Sequence, residues 1–192
     1  MRGIFIDTET GGLDPKRDAL LSLAAVAFEI DKQGAWVLDD FSVMIQPGEF
    51  TSVSLKALSV QGESWSGLEH SKRIPEQEAL LRFSEWLRDY PGIPFFAHHA
   101  AFDRDFLAEA NRRTAGGIDS RAVTGRHAPW VCTIVLANWN IARGVMSMPA
   151  NGLSLDSLAD ALGVMGRTST GGHNALEDAR IGVRILAELS KM

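Results

Sequence analysis

Two acidic residues separated by a single position, Asp7 and Glu9, are the first residues of this chain whose types and spacing could do chemistry. They follow a short apolar run that begins at Gly3 and is typical of a buried strand. Side chains two positions apart in a strand lie on the same face, so both carboxylates project together. Adjacent carboxylates repel each other unless a cation lies between them, and Mg²⁺ prefers oxygen ligands. The pair therefore indicates a metal site, although acids at a strand end also serve solubility.

Asp103 is the second such residue, at the point where a short apolar strand is followed by a predicted helix. A carboxylate in the first turn of a helix interacts favourably with the helix dipole. Taken alone, Asp103 is explained by that local stabilisation of the helix.

His173 and Asp178 form the third group, near the end of the chain. On one helix, five positions would separate the two side chains by about 140° around the axis. They can converge only if His173 precedes the helix and Asp178 lies in its first turn. Asn174 is a good N-cap and Glu177 resembles a capping-box partner, which favours this arrangement. In isolation, His173 is equally explained as an exposed loop histidine.

The three groups together predict more than each does alone. Their acids and histidine occur in the order D-x-E, F-D and H-x-x-x-x-D, spread over nearly the whole chain. Folding would gather them into one cluster of negative charge, which divalent cations would stabilise. Two such ions about 4 Å apart can clamp the attacking and leaving oxygens of a phosphoryl displacement. The sequence therefore predicts a two-metal site for phosphoryl transfer.

The elements that must position these residues predict an α/β fold. The predicted strands are Gly3 to Asp7, Leu20 to Ile30, Trp36 to Gln46, Ile93 to His98 and Trp130 to Cys132. The predicted helices are Pro75 to Tyr90, Phe102 to Thr114, Thr133 to Arg143, Leu155 to Leu162 and Ala175 to Ser190. A hairpin turn ending at Gly34 predicts that the first three strands form an antiparallel meander. Ala115 to Ala128 is predicted as a loop and Met165 to Gly172 as a flexible segment. We expect one mixed sheet flanked by helices, in a single domain over residues 1–192.

Composition excludes several classes of protein. Hydrophobic residues make up 45% of the chain and charged residues 22%, as in soluble globular proteins. Cys132 is the single cysteine, which excludes an intrachain disulfide and a cysteine zinc cluster. We find no signal-peptide core and no apolar run of the ~20 residues that span a bilayer, so we expect a cytoplasmic protein without membrane contact. The net charge of −5 disfavours a general binder of long duplexes, which is usually basic.

The ordered motifs resemble the DnaQ-like 3′→5′ exonucleases of the DEDDh subgroup. The matching segments are Phe5 to Pro15, Ala97 to Asp103, Cys132-Thr133, Leu153 to Ala159 and His173 to Ala179. The resemblance runs from about residue 3 to residue 190. It implies a ribonuclease H-like fold and hydrolysis of nucleic acid from its 3′ end, with nucleoside 5′-monophosphates as products.

The resemblance also implies roles for the central residues. Asp7, Glu9 and Asp178 would bind one Mg²⁺ or Mn²⁺. Asp7 would share a second ion with the scissile phosphate, and Asp103 would hold that ion directly or through water. His173 would be the general base that deprotonates the attacking water, a role that suits histidine.

Substrate contacts carry over in the same way. Leu13 matches a position that packs against the terminal base, and the backbone from Thr8 to Thr10 would hold the 3′ end. Phe102 and His99 complete the expected substrate-binding set. The chain departs from the family pattern at His99, where members usually carry Asn, and at Gly11-Gly12, which replaces the commoner Thr-Gly.

The substrate and two other functions stay open. We expect a single-stranded 3′ end, with DNA slightly favoured by resemblance to the proofreading branch. An exonuclease that trims RNA or degrades oligoribonucleotides is the alternative. A haloacid-dehalogenase-type phosphatase is more remote, because its D-x-D-x-T opening has Glu9 in place of the second Asp and its late acidic motif is absent. A non-catalytic nucleic-acid-binding module with the same fold would be favoured by loss of a central residue, and all five are present.

The end of the chain suggests how such an enzyme would work with partners. Met192 follows the predicted last helix by two residues, so we expect a stand-alone nuclease without a tail for tethering to a polymerase. A homodimer stays open, because several relatives in that family form one.

Overall fold

A five-stranded mixed sheet forms the centre of the molecule. The computed structural model describes residues 1–114, 129–168 and 172–192. The strands are β1 (Arg2–Thr10), β2 (Leu20–Ile30), β3 (Ala35–Met44), β4 (Phe95–Ala97) and β5 (Trp130–Cys132). Their order across the sheet is β3-β2-β1-β4-β5. The first three strands pair antiparallel and β4 and β5 join in parallel, which confirms the predicted meander and mixed sheet.

Helices cover both faces of this sheet. They are α1 (Leu55–Val60), α2 (Trp65–His70), α3 (Glu76–Trp86), α4 (Ala100–Arg113), α5 (Thr133–Ala142), α6 (Leu155–Ala161) and α7 (Ala175–Leu189), and α3 continues into a 3₁₀ turn. No helix in the described parts of the chain is both long and apolar enough to cross a membrane. The loop predicted for residues 115–128 lies outside the described residues.

Most element boundaries differ from the sequence prediction by one or two residues, and two features differ more. Strand β1 continues to Thr10 rather than ending at Asp7, because pairing with β2 persists over its acidic end. Helices α1 and α2 lie in a stretch for which no helix was predicted. Each has only six residues, too few to show a helical period, and is initiated by a serine, Ser54 or Ser64, whose side chain accepts a backbone N–H.

Alternate residues of β1 face two different hydrophobic layers. Ile4 and Ile6 pack with side chains of α3 and α4 on one face. Phe5 packs on the other face against α7. A Cβ on Gly182 of α7 would lie only 2.1 Å from a ring atom of Phe5, so glycine allows the helix to approach this closely. The first turn of α7 is thereby brought towards the acidic end of β1.

Candidate active site

The end of β1 places two carboxylates on the sheet face that α7 covers. Asp7 pairs with Ala24 of β2, and Glu9 pairs with Ser22. They share the face of Phe5 because side chains alternate along a strand. The sequence prediction of a common face is therefore confirmed in the structure.

Asp103 reaches the same place from the opposite side of β1. It lies buried in the first turn of α4, as predicted, and its Oδ1 accepts a hydrogen bond of 2.8 Å from the Thr8 hydroxyl. Burial raises the pKa of Asp103 to about 7, and the hydrogen bond from Thr8 opposes that rise. A buried strand residue thus anchors the helix carboxylate.

The start of α7 supplies the remaining acid and the histidine. Asn174 caps the helix by accepting from the backbone N–H groups of Leu176 and Glu177, both at 3.1 Å. Asp178 is buried in the first turn, and His173 precedes the helix with Nδ1 3.5 Å from Asp178 Oδ2. The predicted division between loop and helix is confirmed. The histidine side chain remains 42% exposed.

Helix α1 fixes the backbone before α7. The N–H of His173 donates to the carbonyl of Val60 at 3.1 Å. Gly172 has a φ of +107°, and a Cβ there would lie 2.4 Å from the carbonyl carbon of Gln61. The position of His173 therefore depends on close contact between this loop and the end of α1, a helix that sequence analysis missed.

The structure brings all five predicted central residues into one cluster. Ligand atoms of Glu9, His173 and Asp178 lie within 4.8 Å of one another. Burial, followed by the charges of Asp103, Asp178 and Glu9, raises the pKa of Asp7 well above its usual range. Burial and the charge of Asp178 raise the pKa of Glu9 to about 8. The carboxylates thus repel one another strongly enough to favour protonation or a bound cation.

Arg167 is a member of this cluster that sequence analysis missed. Its Nε and Nη2 donate to the two carboxylate oxygens of Asp178, each at 2.7 Å, and Nη1 donates to Asp156. Nη2 also donates to Nδ1 of His173 at 3.1 Å. Burial acts to lower the pKa of Arg167. The hydrogen bonds and negative charges of Asp178 and Asp156 outweigh this effect, so the pKa is raised.

The sequence offered only an indirect signal for this arginine. Arg167 is a cation six positions before His173. It lies within the Ser-, Thr- and Gly-rich segment that was predicted to be flexible. Residues 169–171 of that segment lie outside the described part. Thr168 is held by its N–H and hydroxyl, which donate to Glu177 at 2.6 and 2.8 Å. Sequence patterns do not show where a long side chain on such a loop points.

The expected substrate-binding residues differ in their exposure. Leu13 is 85% exposed, and His99 is exposed with its ring 6.3 Å from that of Phe102. Thr8 and Thr10 are buried, with hydroxyls that donate to Asp103 and to the carbonyl of Gly12. Their side chains point into the protein, so a substrate would meet this part of β1 through its backbone.

A cavity opens beside the cluster. It has a volume of ≈ 550 Å³, and its lining includes Glu9 and His173. Ser22 of β2, Met44 of β3 and Arg180 of α7 also line its walls. Glu9 and His173 are therefore accessible from a space large enough for part of a substrate.

Comparison with known proteins identifies the family. The ribonuclease T-type exonuclease family model matches residues 4–186. The chain belongs to the exonuclease family. Members of this family are hydrolytic nucleases that generally use divalent metal ions. The resemblance to DnaQ-like exonucleases is thereby confirmed.

Similar sequences include a polymerase and a ribonuclease. The chain is 28% identical over 189 residues to DNA polymerase III PolC-type of Thermotoga maritima, which covers 98% of the chain and 12% of the polymerase. It is 33% identical over 116 residues to ribonuclease T of Haemophilus ducreyi, which covers 57% of the chain and 54% of the ribonuclease. The chain thus spans about half the length of the ribonuclease and a small part of the polymerase.

Solved structures with the same fold include exonuclease I. The crystal structure of Escherichia coli exonuclease I in complex with a dT13 oligonucleotide superposes with a TM-score of 0.78 at 18% identity. The match covers 100% of this chain and 41% of exonuclease I. It confirms the ribonuclease H-like mixed sheet flanked by helices.

Proposed function

We propose that this exonuclease is metal-dependent and removes nucleoside 5′-monophosphates from the 3′ end of single-stranded nucleic acid. The observation that carries the proposal is the convergence of His173 with four carboxylates from β1, α4 and α7. Family membership favours this function over the phosphatase alternative, whose opening motif the chain matches only in part.

The donor set fits hard divalent cations. The carboxylates of Asp7, Glu9 and Asp178 lie in one cluster with His173, which is accessible from the surface. Asp103 adds a fourth carboxylate from the other side of β1. Mg²⁺ and Mn²⁺ take such oxygen ligands. We assign Asp7, Glu9, Asp103 and Asp178 as ligands of two ions. When bound, these ions would neutralise charge on the attacking and leaving oxygens of the phosphate.

His173 is suited to take the proton of the attacking water. Its side chain is 42% exposed, so water reaches it, and its backbone is fixed by the hydrogen bond to Val60. Asp178 lies 3.5 Å from Nδ1 and can stabilise the positive charge that forms on the ring. A histidine at the edge of the acidic cluster thus supplies the base.

The terminal nucleotide would lie between Leu13 and the β1 backbone. Leu13 presents an exposed apolar side chain suited to contact a base. Backbone groups from Thr8 to Thr10 would then contact the sugar and phosphate. His99 and Phe102 border the same end of α4. We infer a preference for DNA, since the exonuclease I relative is described with bound DNA oligonucleotides. Trimming of RNA ends is the second candidate, favoured by the identity to ribonuclease T.

The test is digestion of matched DNA and RNA oligonucleotides labelled at the 5′ end. With Mg²⁺ we expect a ladder that shortens from the 3′ end and disappears with EDTA. Asp7→Asn should abolish it, whereas Asp160→Asn, which changes an exposed acid of α6, should not. Immediate release of labelled mononucleotide would contradict the direction. Binding without cleavage of either polymer would favour the non-catalytic module.

A further inference from the structure

Arg167 makes contacts that no step of the proposed reaction uses. Its paired hydrogen bonds engage both oxygens of the Asp178 carboxylate, the geometry in which arginine binds carboxylates most strongly. Its side chain is only 13% exposed, so the guanidinium is inserted into the cluster rather than resting on it. This cation therefore stands among the groups that the proposed metal ions would bind.

The charge of Arg167 also acts on the two acids of β1. It opposes the burial and the neighbouring carboxylates that raise the pKa of Asp7 and of Glu9. A divalent ion in the same cluster would provide twice this charge and would need Asp178 oxygens that the guanidinium holds. The two cations therefore compete for the Asp178 carboxylate, and their positive charges repel each other.

We propose that Arg167 is an internal counter-cation of the metal-free enzyme, and that divalent ions bind by displacing its guanidinium from Asp178. This inference rests on the proposed function, because it presupposes a metal site at these carboxylates. It assigns to Arg167 a role in setting the metal affinity rather than a part in the chemistry.

A destination for the displaced guanidinium already exists. Nη1 of Arg167 is bonded to Asp156, an exposed residue in the first turn of α6. Backbone on both sides of the arginine is anchored to α7, because Thr168 donates to Glu177 and Arg184 donates to the carbonyl of Met165 at 3.3 Å. The guanidinium can thus leave Asp178 and keep Asp156 by rotating its side chain, without rearrangement of the loop.

Displacement would also release the base. A guanidinium has only donors, so Nδ1 of His173 accepts from Arg167 and its lone pair is engaged. This nitrogen is the one that faces Asp178. One movement of Arg167 therefore frees a metal ligand and a histidine lone pair together, which would keep the metal-free enzyme from partial reaction.

The first test measures Mn²⁺ binding to the substrate-free protein by isothermal titration calorimetry. Arg167→Gln should bind Mn²⁺ about tenfold more tightly than the wild type, an ordinary size for competition between two sites. The control is Arg180→Gln, which removes a cation from the wall of the same cavity that pairs with Asp40 rather than with the cluster. Its affinity should stay close to the wild-type value.

A second test uses nuclear magnetic resonance on the wild-type protein and needs no variant. The Nε–H group of Arg167 donates to Asp178, so its ¹H–¹⁵N signal should lose its hydrogen-bonded shift when Mg²⁺ saturates the wild-type protein. Three outcomes would overturn this inference and leave the proposed metal site intact. The first is an Nε–H signal that keeps its shift at Mg²⁺ saturation, and the second is equal Mn²⁺ affinity of Arg167→Gln and the wild type. The third is a gain in Mn²⁺ affinity in Arg180→Gln equal to that in Arg167→Gln. Absence of Mn²⁺ binding in every protein would overturn the proposed metal site as well.

Discussion

The strand side of the candidate site, defined as Asp7, Thr8, Glu9 and Asp103, is built differently from the loop side. Main-chain pairing with β2 sets the direction of the β1 acids, and burial of α4 places Asp103 against Thr8. The loop side is defined as Arg167, Gly172 and His173.

The loop side depends on a few polar contacts. It is held by the ion pair of Arg167 with Asp178, the hydrogen bond from His173 to Val60 and the close approach of Gly172 to Gln61. The acids are therefore positioned by the fold itself, whereas the base and its arginine are positioned by contacts that single substitutions can remove. Substitutions on the two sides should therefore separate catalysis from stability.

His173→Ala should give the largest effect and should act on catalysis alone. Loss of a general base lowers turnover by roughly 10²–10⁴-fold. The histidine side chain is 42% exposed, so its removal should leave the thermal unfolding temperature nearly unchanged. Initial rates on a 5′-labelled oligonucleotide at saturating Mg²⁺ measure the first effect. An unchanged rate would remove His173 from the mechanism.

Gly172→Ala should disturb the loop side through the backbone. A side chain at a φ of +107° that also meets the carbonyl carbon of Gln61 at 2.4 Å cannot be accommodated without displacement of His173. We expect a loss of about 1–3 kcal/mol of unfolding free energy together with reduced turnover.

Gly144→Ala is the matched control for this substitution. Gly144 also has a positive φ, +72°, but a Cβ there would meet nothing within 4 Å. Its cost should be about 1 kcal/mol, with turnover unaffected. Urea unfolding and rate measurements on both variants make the comparison. Equal turnover of the two variants would show that contact with α1 does not position the base.

The same division explains what could be predicted from the sequence. The common face of Asp7 and Glu9 follows from strand periodicity, and the position of Asp178 follows from the N-cap residue Asn174, so both rest on local rules. Arg167 and the contact of Gly172 with Gln61 depend on tertiary placement of loops, which no period records. Helix α1, which carries Gln61 at its end, is also too short to give a periodic signal.

Thr8→Val should weaken the strand side without altering its shape. It removes the hydroxyl that donates to the buried carboxylate of Asp103 at 2.8 Å. At pH 8, where this carboxyl is ionised, we expect a loss of about 1–3 kcal/mol of unfolding free energy, the cost of a buried acceptor left without its donor. At pH 5 the loss should be smaller, because the pKa of Asp103 is about 7 and the group is then protonated.

Thr8→Ser provides the control, since it keeps the hydroxyl. It should retain most of the pH 8 stability in the same urea titrations. A loss in the serine variant equal to that in the valine variant would assign the effect to the missing methyl group and to packing instead of the hydrogen bond.

The dependence of stability on pH should change sign when metal is bound. Burial and neighbouring charge raise the pKa of Glu9 from its usual 4.5 to about 8, so the metal-free folded state binds this proton more tightly than the unfolded state. The stabilisation that protonated Glu9 contributes to the folded state is fully present below pH 4.5 and is lost as pH rises through 8. Within that window the unfolding free energy of the metal-free protein should therefore fall as pH rises.

Saturating Mg²⁺ should reverse this trend, because ions bind the ionised carboxylates and their stabilisation grows as protons are lost. Thermal unfolding between pH 5 and pH 8, with and without Mg²⁺, measures both slopes. Arg167 remains charged throughout, so its own titration does not contribute to the change in slope. A metal-free stability that rises with pH would mean that the strand-side acids are ionised without metal, and the cluster would then be stabilised mainly by Arg167.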